Sequence, residues 1–225
     1  MNKYRYELKY LCTVQQATLI RGRLKGLASL DRHVNRFGVY QVRSLYFDDM
    51  YDTAYFSNED GTEPREKYRI RYYNNTDRLQ LELKKKLHGK TLKLTAPLSK
   101  PQCEKLIRGE YAFDETNPDI LNKLMINMKT HLMHPVVIVE FERTPFVYPI
   151  GNVRITIDAH IMSSNAFDCF FDDHISRRPV LPDGLNILEV KFDELLPDTI
   201  KQCIELDNLQ YTAFSKYYNS RYFHL

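Results

Sequence analysis

Six short segments of this chain alternate between apolar and charged residues, and that alternation limits what the chain can fold into more than any other feature. Along a β-strand successive side chains point to opposite faces, so parity decides which charges travel together. Arg5, Glu7 and Lys9 share one face, opposite Tyr6, Leu8 and Tyr10. Lys67, Arg69 and Arg71 align opposite Tyr68, Ile70 and Tyr72. Glu82, Lys84 and Lys86 align opposite Leu81, Leu83 and, imperfectly, Lys85. Thr91 and Lys93 oppose Leu92 and Leu94, and Arg154, Thr156 and Asp158 oppose Val153, Ile155 and Ile157. Glu189 and Lys191 oppose Leu188, Val190 and Phe192.

One such strand on its own would suit an ordinary sheet, apolar face packed and charged face in water. Two features argue against that for the set. The charged faces are biased toward cations, whereas solvated surfaces mix signs. Helices elsewhere in the chain can cover the apolar faces from outside, which leaves the charges a lumen. The main strands number about eight, enough to close a barrel that holds side chains or one slim ligand. Closure also removes exposed strand edges. The expected fold is α+β, mainly β: a closed eight-stranded antiparallel barrel with peripheral helices.

Charge distribution says what such a lumen would hold. The whole chain carries a net charge of only +3, which does not suggest a nucleic-acid protein. Between Arg65 and Lys100, however, eleven Lys and Arg face three Asp and Glu. Two like charges ~6 Å apart at an effective dielectric of ~20 repel by roughly 3 kcal/mol. A lumen crowded with cations therefore calls for a multivalent anion, and Arg forks bind phosphate oxygens in bidentate fashion. Nucleic acid would instead need cations on an open face with aromatics free to stack.

The 225 residues are expected to form a single domain, 1–225, with a helical insertion at about 98–133. Strands are expected at 4–11, 40–47, 66–73, 78–86, 90–97, 136–147, 153–158 and 185–192. Thr13 can cap a helix that runs to about Leu27. Asn74-Asn75-Thr76-Asp77 and Leu87-His88-Gly89 are plausible hairpin loops. Helices are expected over Ser99–Gly109, over Asn117–His131 with Pro118 near its first turn, and over two short stretches at 198–206 and 213–222. The acidic, aromatic segment at about 163–183 fits no element. In Glu140-Phe141-Glu142-Arg143 the acids and Arg143 fall on opposite faces, so a bulge or a charged outer face is required. Met125, Met128 and Leu132 have the spacing of a core-facing helix stripe, and Tyr217, Tyr218 and Tyr222 of packing residues on the last helix. Asp48-Asp49 and Asp172-Asp173 suit turns better than metal ligation. Four scattered cysteines have no metal-ligand spacing and suit a reducing compartment. The opening MNKYRYELKY is a charged strand and not a signal peptide, and no apolar run approaches the ~20 residues of a membrane span. A cytoplasmic protein is expected.

Taken together, Arg5-Tyr6-Glu7-Leu8-Lys9-Tyr10, Ser44-Leu45-Tyr46-Phe47-Asp48, Lys67-Tyr68-Arg69-Ile70-Arg71-Tyr72 and Glu82-Leu83-Lys84 resemble the VTC (vacuolar transporter chaperone) domain. Gly89-Lys90-Thr91-Leu92-Lys93, Glu142-Arg143-Thr144-Pro145-Phe146 and Arg154-Ile155-Thr156-Ile157-Asp158 continue the resemblance. Leu188-Glu189-Val190-Lys191-Phe192 and Phe214-Ser215-Lys216-Tyr217 complete it. That domain is the polyphosphate polymerase branch of the triphosphate tunnel metalloenzymes, a CYTH-like superfamily. The resemblance implies a tunnel that binds ATP and polyphosphate or triphosphate with Mn²⁺ or Mg²⁺. By resemblance Lys9, Arg69, Arg71, Lys84, Lys93, Arg143 and Arg154 grip phosphate, Glu189 coordinates the metal, and Ser215 and Lys216 meet the phosphate chain at one mouth. Lys67, Lys86 and Lys191 join them by parity alone. The larger family members carry an inositol-phosphate-sensing domain and membrane segments, so regulation and export are not expected of this chain.

Triphosphatases of the superfamily open with Glu-x-Glu-x-Lys; here the first position is Arg5. Exchange of a carboxylate for a cation favours a phosphate acceptor over water, and so the expected activity is polyphosphate polymerisation. The acceptor is already anionic and needs no general base, in keeping with seven histidines that occupy no obvious base position. A triphosphatase of the same fold and a non-catalytic polyphosphate-binding module are the alternatives.

Overall fold

A computed structural model describes residues 4–74, 78–206 and 208–224. Residues 1–3 of the opening segment and Asn75, Thr76 and Asp77 of the first expected hairpin loop lie outside the described residues. In chain order the elements are β1 (Tyr6–Thr13), α1 (Val14–Leu24), β2 (Ser29–Leu30), β3 (Tyr40–Asp48), α2 (Thr53–Glu59), β4 (Arg65–Tyr73), β5 (Leu79–Leu87) and β6 (Lys90–Leu98). Then follow α3 (Lys100–Ile107), α4 (Asp119–Thr130), β7 (His134–Tyr148), β8 (Val153–Ser164), β9 (Arg178–Pro179), β10 (Leu185–Phe192), α5 (Asp198–Ile204), β11 (Gln210–Tyr211) and α6 (Lys216–Tyr222).

Helix starts follow local chemistry. Thr13 and Gln16 form a reciprocal capping box at α1, and Ser99 and Gln102 form another at α3, each satisfying two otherwise orphaned amides. α1 buries Ala17, Ile20 and Leu24, one stripe at helical spacing.

Among the described residues all the strands join one antiparallel sheet in the order β11-β1-β10-β8-β7-β3-β4-β5-β6, with β2 on β7 and β9 on β8. Eight of them are long and three have two residues. The sheet is not the fully closed barrel expected from the sequence. Its two flanks, β1 and β6, share no ladder and meet in a single antiparallel bridge, Arg5 to Thr91, with reciprocal amide–carbonyl bonds of 3.0 and 2.9 Å. β1 pairs along its length with β10, and β6 with β5.

Two of the apolar clusters lie on the outside of the sheet, while a third, which includes the cavity-lining Tyr46, Phe141 and Tyr217, packs inside with α6. Tyr68, Ile70, Tyr72, Leu81 and Leu83 pack outward under Leu106 of α3 and Leu121, Leu124, Met125 and Met128 of α4. Ile155, Ile157, Leu188 and Val190 pack outward under Ile20 and Leu24 of α1 and Ile200 and Ile204 of α5. A buried side chain of this size contributes roughly 1.5–3 kcal/mol, so these layers hold the helices firmly. With the outer faces occupied, the opposite parity must point inward.

Several local expectations change. Leu132 is exposed, because α4 ends at Thr130 and the chain turns through a positive φ at Leu132, which takes it off the Met125–Met128 stripe. Tyr222 is also exposed, at the end of α6, whereas Tyr217 is buried. Asp48 is no turn acid but a buried hub: its carboxylate accepts from the amides of Asp49, Ala54 and Tyr55 and from the Tyr217 hydroxyl. Both alternatives raised for 140–143 are realised. Glu140 and Glu142 face outward to Arg43 and His160, and β8 carries an extra residue beside them at His160, which has a φ of 50°. The unplaced segment around 163–183 supplies Phe170, which enters the outer core, and β9.

Candidate functional site

Inward parity brings charges from six strands and α6 around a cavity of about 610 Å³. Register arranges them in rows across β4, β5 and β6. Lys67, Lys84 and Lys93 lie directly opposite one another, and Arg65 lies opposite Lys86, which pairs with Thr91. Like charges directly opposed in a sheet destabilise it, so these rows need neutralising partners.

Carboxylates from the same inward faces supply some of that. Glu82 is fully buried and takes Arg69 through Nε at 2.6 Å and Lys93 through Nζ at 2.9 Å. Burial alone would push its carboxyl up, but Arg69, Arg71 and Lys93 hold it well below the usual carboxylate range. Asp158, also fully buried, receives the Arg143 fork at 2.6 and 2.7 Å and the Lys216 ammonium at 2.6 Å. Glu7 accepts both contacts of Lys84, at 3.0 and 2.9 Å, and Lys9 stands 3.2 Å away. Glu189 lies 3.2 Å from Lys191 and 3.4 Å from Arg143. Against the upward push of burial, Lys191, Glu7 as hydrogen-bond partner, Lys216 and Lys9 hold Glu189 well below its usual range.

Neutralisation is incomplete. Twelve lysines and arginines line the cavity. They share six carboxylates: Glu7, Glu63, Glu82, Asp158, Glu189 and Asp193. With every lining side chain counted in its charged form, an excess of six positive charges surrounds one cavity, and it has three identifiable centres. Among the described residues, Arg65, Lys67 and Arg71 have no carboxylate within ion-pair distance. Arg71 is 5% exposed; its Nε bonds Ser44 Oγ at 2.8 Å and its guanidinium lies 5.8 Å from the Phe141 ring. Lys67 reaches Asn58 Oδ1 at 2.6 Å and Ser215 Oγ at 3.3 Å. Arg65 reaches only the Ser57 carbonyl, at 3.0 Å.

α6 delivers the last contributors. Ser215 caps it, accepting from the Tyr218 amide, and Lys216 follows in its first turn. The Tyr217 hydroxyl is anchored on Asp48, which fixes the helix against β3.

The VTC domain profile matches residues 4–223 of the sequence. The chain belongs to the VTC domain family. Two solved structures share its fold. One, a candidate adenylyl cyclase from Hippeastrum with a dominant triphosphatase activity, is 14% identical with a TM-score of 0.56, over 98% of this chain and 97% of that one. The other, a candidate adenylate cyclase from Bacillus halodurans, is 12% identical with a TM-score of 0.51, over 90% and 86% of the respective chains. No protein of curated function matches the sequence. No helix among the described residues is long and apolar enough to cross a membrane.

In this VTC domain Lys9, Lys67, Arg69, Arg71, Lys84, Lys86, Lys93, Arg143, Glu189, Lys191, Ser215 and Lys216 all line the one cavity. Arg154 is not among the residues that line it. Its guanidinium turns to the Tyr40 hydroxyl at 2.8 Å and to Asp31 at 3.1 Å. Asp31 comes from the segment just after β2, a long-range contact that strand parity does not contain. Phe141, which sequence reasoning missed, shares the inward parity of Arg143, and Arg143 and Lys216 lie 5.1 and 4.9 Å from its ring. Glu7, Glu82 and Asp158 were placed on the cationic faces by parity, but their neutralising role depends on cross-strand register.

No group of three or more His, Cys, Asp or Glu side chains among the described residues is close enough to hold a metal. Glu7 and Glu189, on adjacent strands and both lining the cavity, offer hard oxygen donors. Mg²⁺ or Mn²⁺ suits such a pair, because these ions are commonly held by one or two carboxylates with substrate phosphates and water in the remaining positions.

Proposed function

We propose that this VTC domain is a polyphosphate polymerase that transfers the γ-phosphate of ATP onto a growing polyphosphate chain within the cationic cavity. The observation that carries the reading is the uncompensated charge: three cations without a carboxylate partner among the described residues, in a cavity with an excess of six. Phosphoryl transfer asks a protein mainly for alignment and charge neutralisation. Arg69, Arg71, Lys84, Arg143 and Lys216 are the groups assigned to the reacting phosphates. Lys9, Lys67, Lys86, Lys93, Lys191 and Ser215 hold the remainder of the chain. Arg154 is assigned a phosphate contact from the resemblance, which requires it to leave Asp31. Glu189, with Glu7, would hold Mn²⁺ or Mg²⁺, which when bound offsets the charge of neighbouring phosphate oxygens.

The polymerase reading is preferred to triphosphate hydrolysis for two reasons. Arg5 lines the cavity where the hydrolases have a carboxylate, and it bonds Asp193 and the Asn152 carbonyl. Among the described residues that line the cavity there is no histidine. An anionic phosphate acceptor is drawn in by such a wall and needs no base, whereas water needs activation. Purified protein incubated with ATP and Mn²⁺ is expected to give ADP and polyphosphate, resolved on a gel by chain length. Free orthophosphate as the sole product indicates a triphosphatase; binding of polyphosphate without turnover indicates a storage or sensing module. Glu189→Gln is expected to abolish turnover, and full activity in that variant at saturating Mn²⁺ removes the metal assignment.

A further inference from the structure

The Lys67-Lys84-Lys93 row is not neutralised evenly. Lys84 has Glu7 and Lys93 has Glu82, but Lys67 has neither. Its surroundings are cationic on three sides: Arg65 on its own strand, Lys84 from β5 and Lys9 from β1. The acid that faces it, Asp48 of β3, is committed to three amides and the Tyr217 hydroxyl. From α6 it meets the Tyr217 ring, 4.9 Å away, and Ser215 Oγ; from α2 it meets Asn58 Oδ1. The Tyr217 ring face favours the ammonium, but no carboxylate among the described residues pairs with it and three cations surround it, a setting that a neutral amine also fits. It can donate to Asn58, and its lone pair can accept the Ser215 hydroxyl, whose oxygen remains free to cap the Tyr218 amide.

We infer that Lys67 is a proton-coupled anion anchor, uncharged while the cavity is empty and protonated when a phosphate chain arrives. This rests on the polymerase reading only in so far as the cavity binds phosphate chains. Burial, then Arg65, Lys84 and Lys9, push the Lys67 ammonium well below the ordinary lysine value of 10.5. An incoming polyanion reverses the balance, since an opposite charge at close range favours the charged form. The coupling eases two strains at once. The empty domain avoids one cation in a crowded row, and the bound chain gains one without any side chain having to move. The sign follows: between the lowered and the restored value, binding takes up a proton, and affinity for the chain falls as pH rises through the restored value.

The test is calorimetric titration with inorganic triphosphate at about pH 8 in two buffers of different ionisation enthalpy, which reports protons exchanged per ligand. Wild type is expected to take up more protons than Lys67→Arg, by up to about one, because arginine keeps its charge throughout. Subtracting the variant removes the ligand's own titration. Equal uptake in the two proteins overturns the inference and leaves the phosphate cavity standing; failure of wild type to bind triphosphate overturns both. Lys67→Met covers the case in which Lys67→Arg does not fold. It is expected to match or exceed wild type in melting temperature without ligand, to bind triphosphate at least about tenfold more weakly, and to lose the extra uptake. A lower melting temperature in that variant means that Lys67 is a structural cation, and the inference fails.

Discussion

Glu82, like Asp158, has no solvent exposure and two cations resting on it, so the cavity tolerates its removal poorly. Replacement by glutamine keeps the shape but leaves Arg69 and Lys93 uncompensated. Breaking a buried pair from one side costs about 3–5 kcal/mol, which urea unfolding would register as a lower midpoint for Glu82→Gln. The pH dependence has a definite sign. The folded-state value of Glu82 lies well below its ordinary 4.5, so its contribution is complete above about pH 4.5 and is lost as pH falls through the folded value. Acid titration of stability should therefore fall more steeply for wild type than for Glu82→Gln. Arg71 should behave in the opposite way. Its one side-chain hydrogen bond among the described residues is to Ser44 Oγ, so Arg71→Ala is expected to leave the melting temperature nearly unchanged while triphosphate affinity drops about tenfold or more. If Arg71→Ala binds triphosphate normally, its guanidinium has no part in phosphate recognition.

At the level of elements, α6 is short and carries Lys216 into the cavity, so its anchoring on the Tyr217–Asp48 bond decides where that ammonium sits. Tyr217→Phe keeps the buried ring and removes the hydroxyl, and Asp48 retains three amide donors. A loss of about 1–2 kcal/mol in stability is expected, with a larger fall in kcat than rise in KM, because Lys216 would be held less firmly against Asp158 and the transferring phosphate. Unchanged kcat in Tyr217→Phe rules out positioning of Lys216 by this bond. The elements also show which parts of the fold were legible. Strand parity fixes the inward set from β1, β4, β5, β6, β8 and β10 because period-two alternation survives in each of them. It says nothing of α2, a seven-residue helix whose start is set by the buried Asp48 accepting the Ala54 and Tyr55 amides, a contact that looks in sequence like a turn acid. It misplaces Arg154 for the same kind of reason: parity gives the face of a strand, but Asp31 and Tyr40, distant in sequence, decide where the long side chain ends. Incomplete closure between β1 and β6 was equally hidden, since a strand count does not state whether the last pair forms a ladder.

The sheet carries two apolar layers on its outside and a concentration of cations in its cavity, and this arrangement makes a global prediction about salt. In an ordinary domain, surface ion pairs of mixed sign are weakly stabilising, and added NaCl screens them with little or slightly adverse effect. Here the dominant long-range interaction is repulsion among lining cations that outnumber their six carboxylate partners even with Lys67 uncharged. Screening that repulsion should stabilise the empty domain, so its melting temperature is expected to rise between about 0.05 and 0.5 M NaCl. Inorganic triphosphate should produce a larger rise at far lower concentration, because it binds the folded state specifically and stabilises it by mass action. The two effects should compete: as NaCl increases, the shift caused by a fixed triphosphate concentration should shrink, since phosphate binding by cations weakens with salt. Scanning calorimetry over a grid of NaCl and triphosphate concentrations separates these contributions. A melting temperature that falls steadily with NaCl in the absence of triphosphate would mean that the six carboxylates already balance the cavity, and the electrostatic need for a phosphate chain would disappear with it.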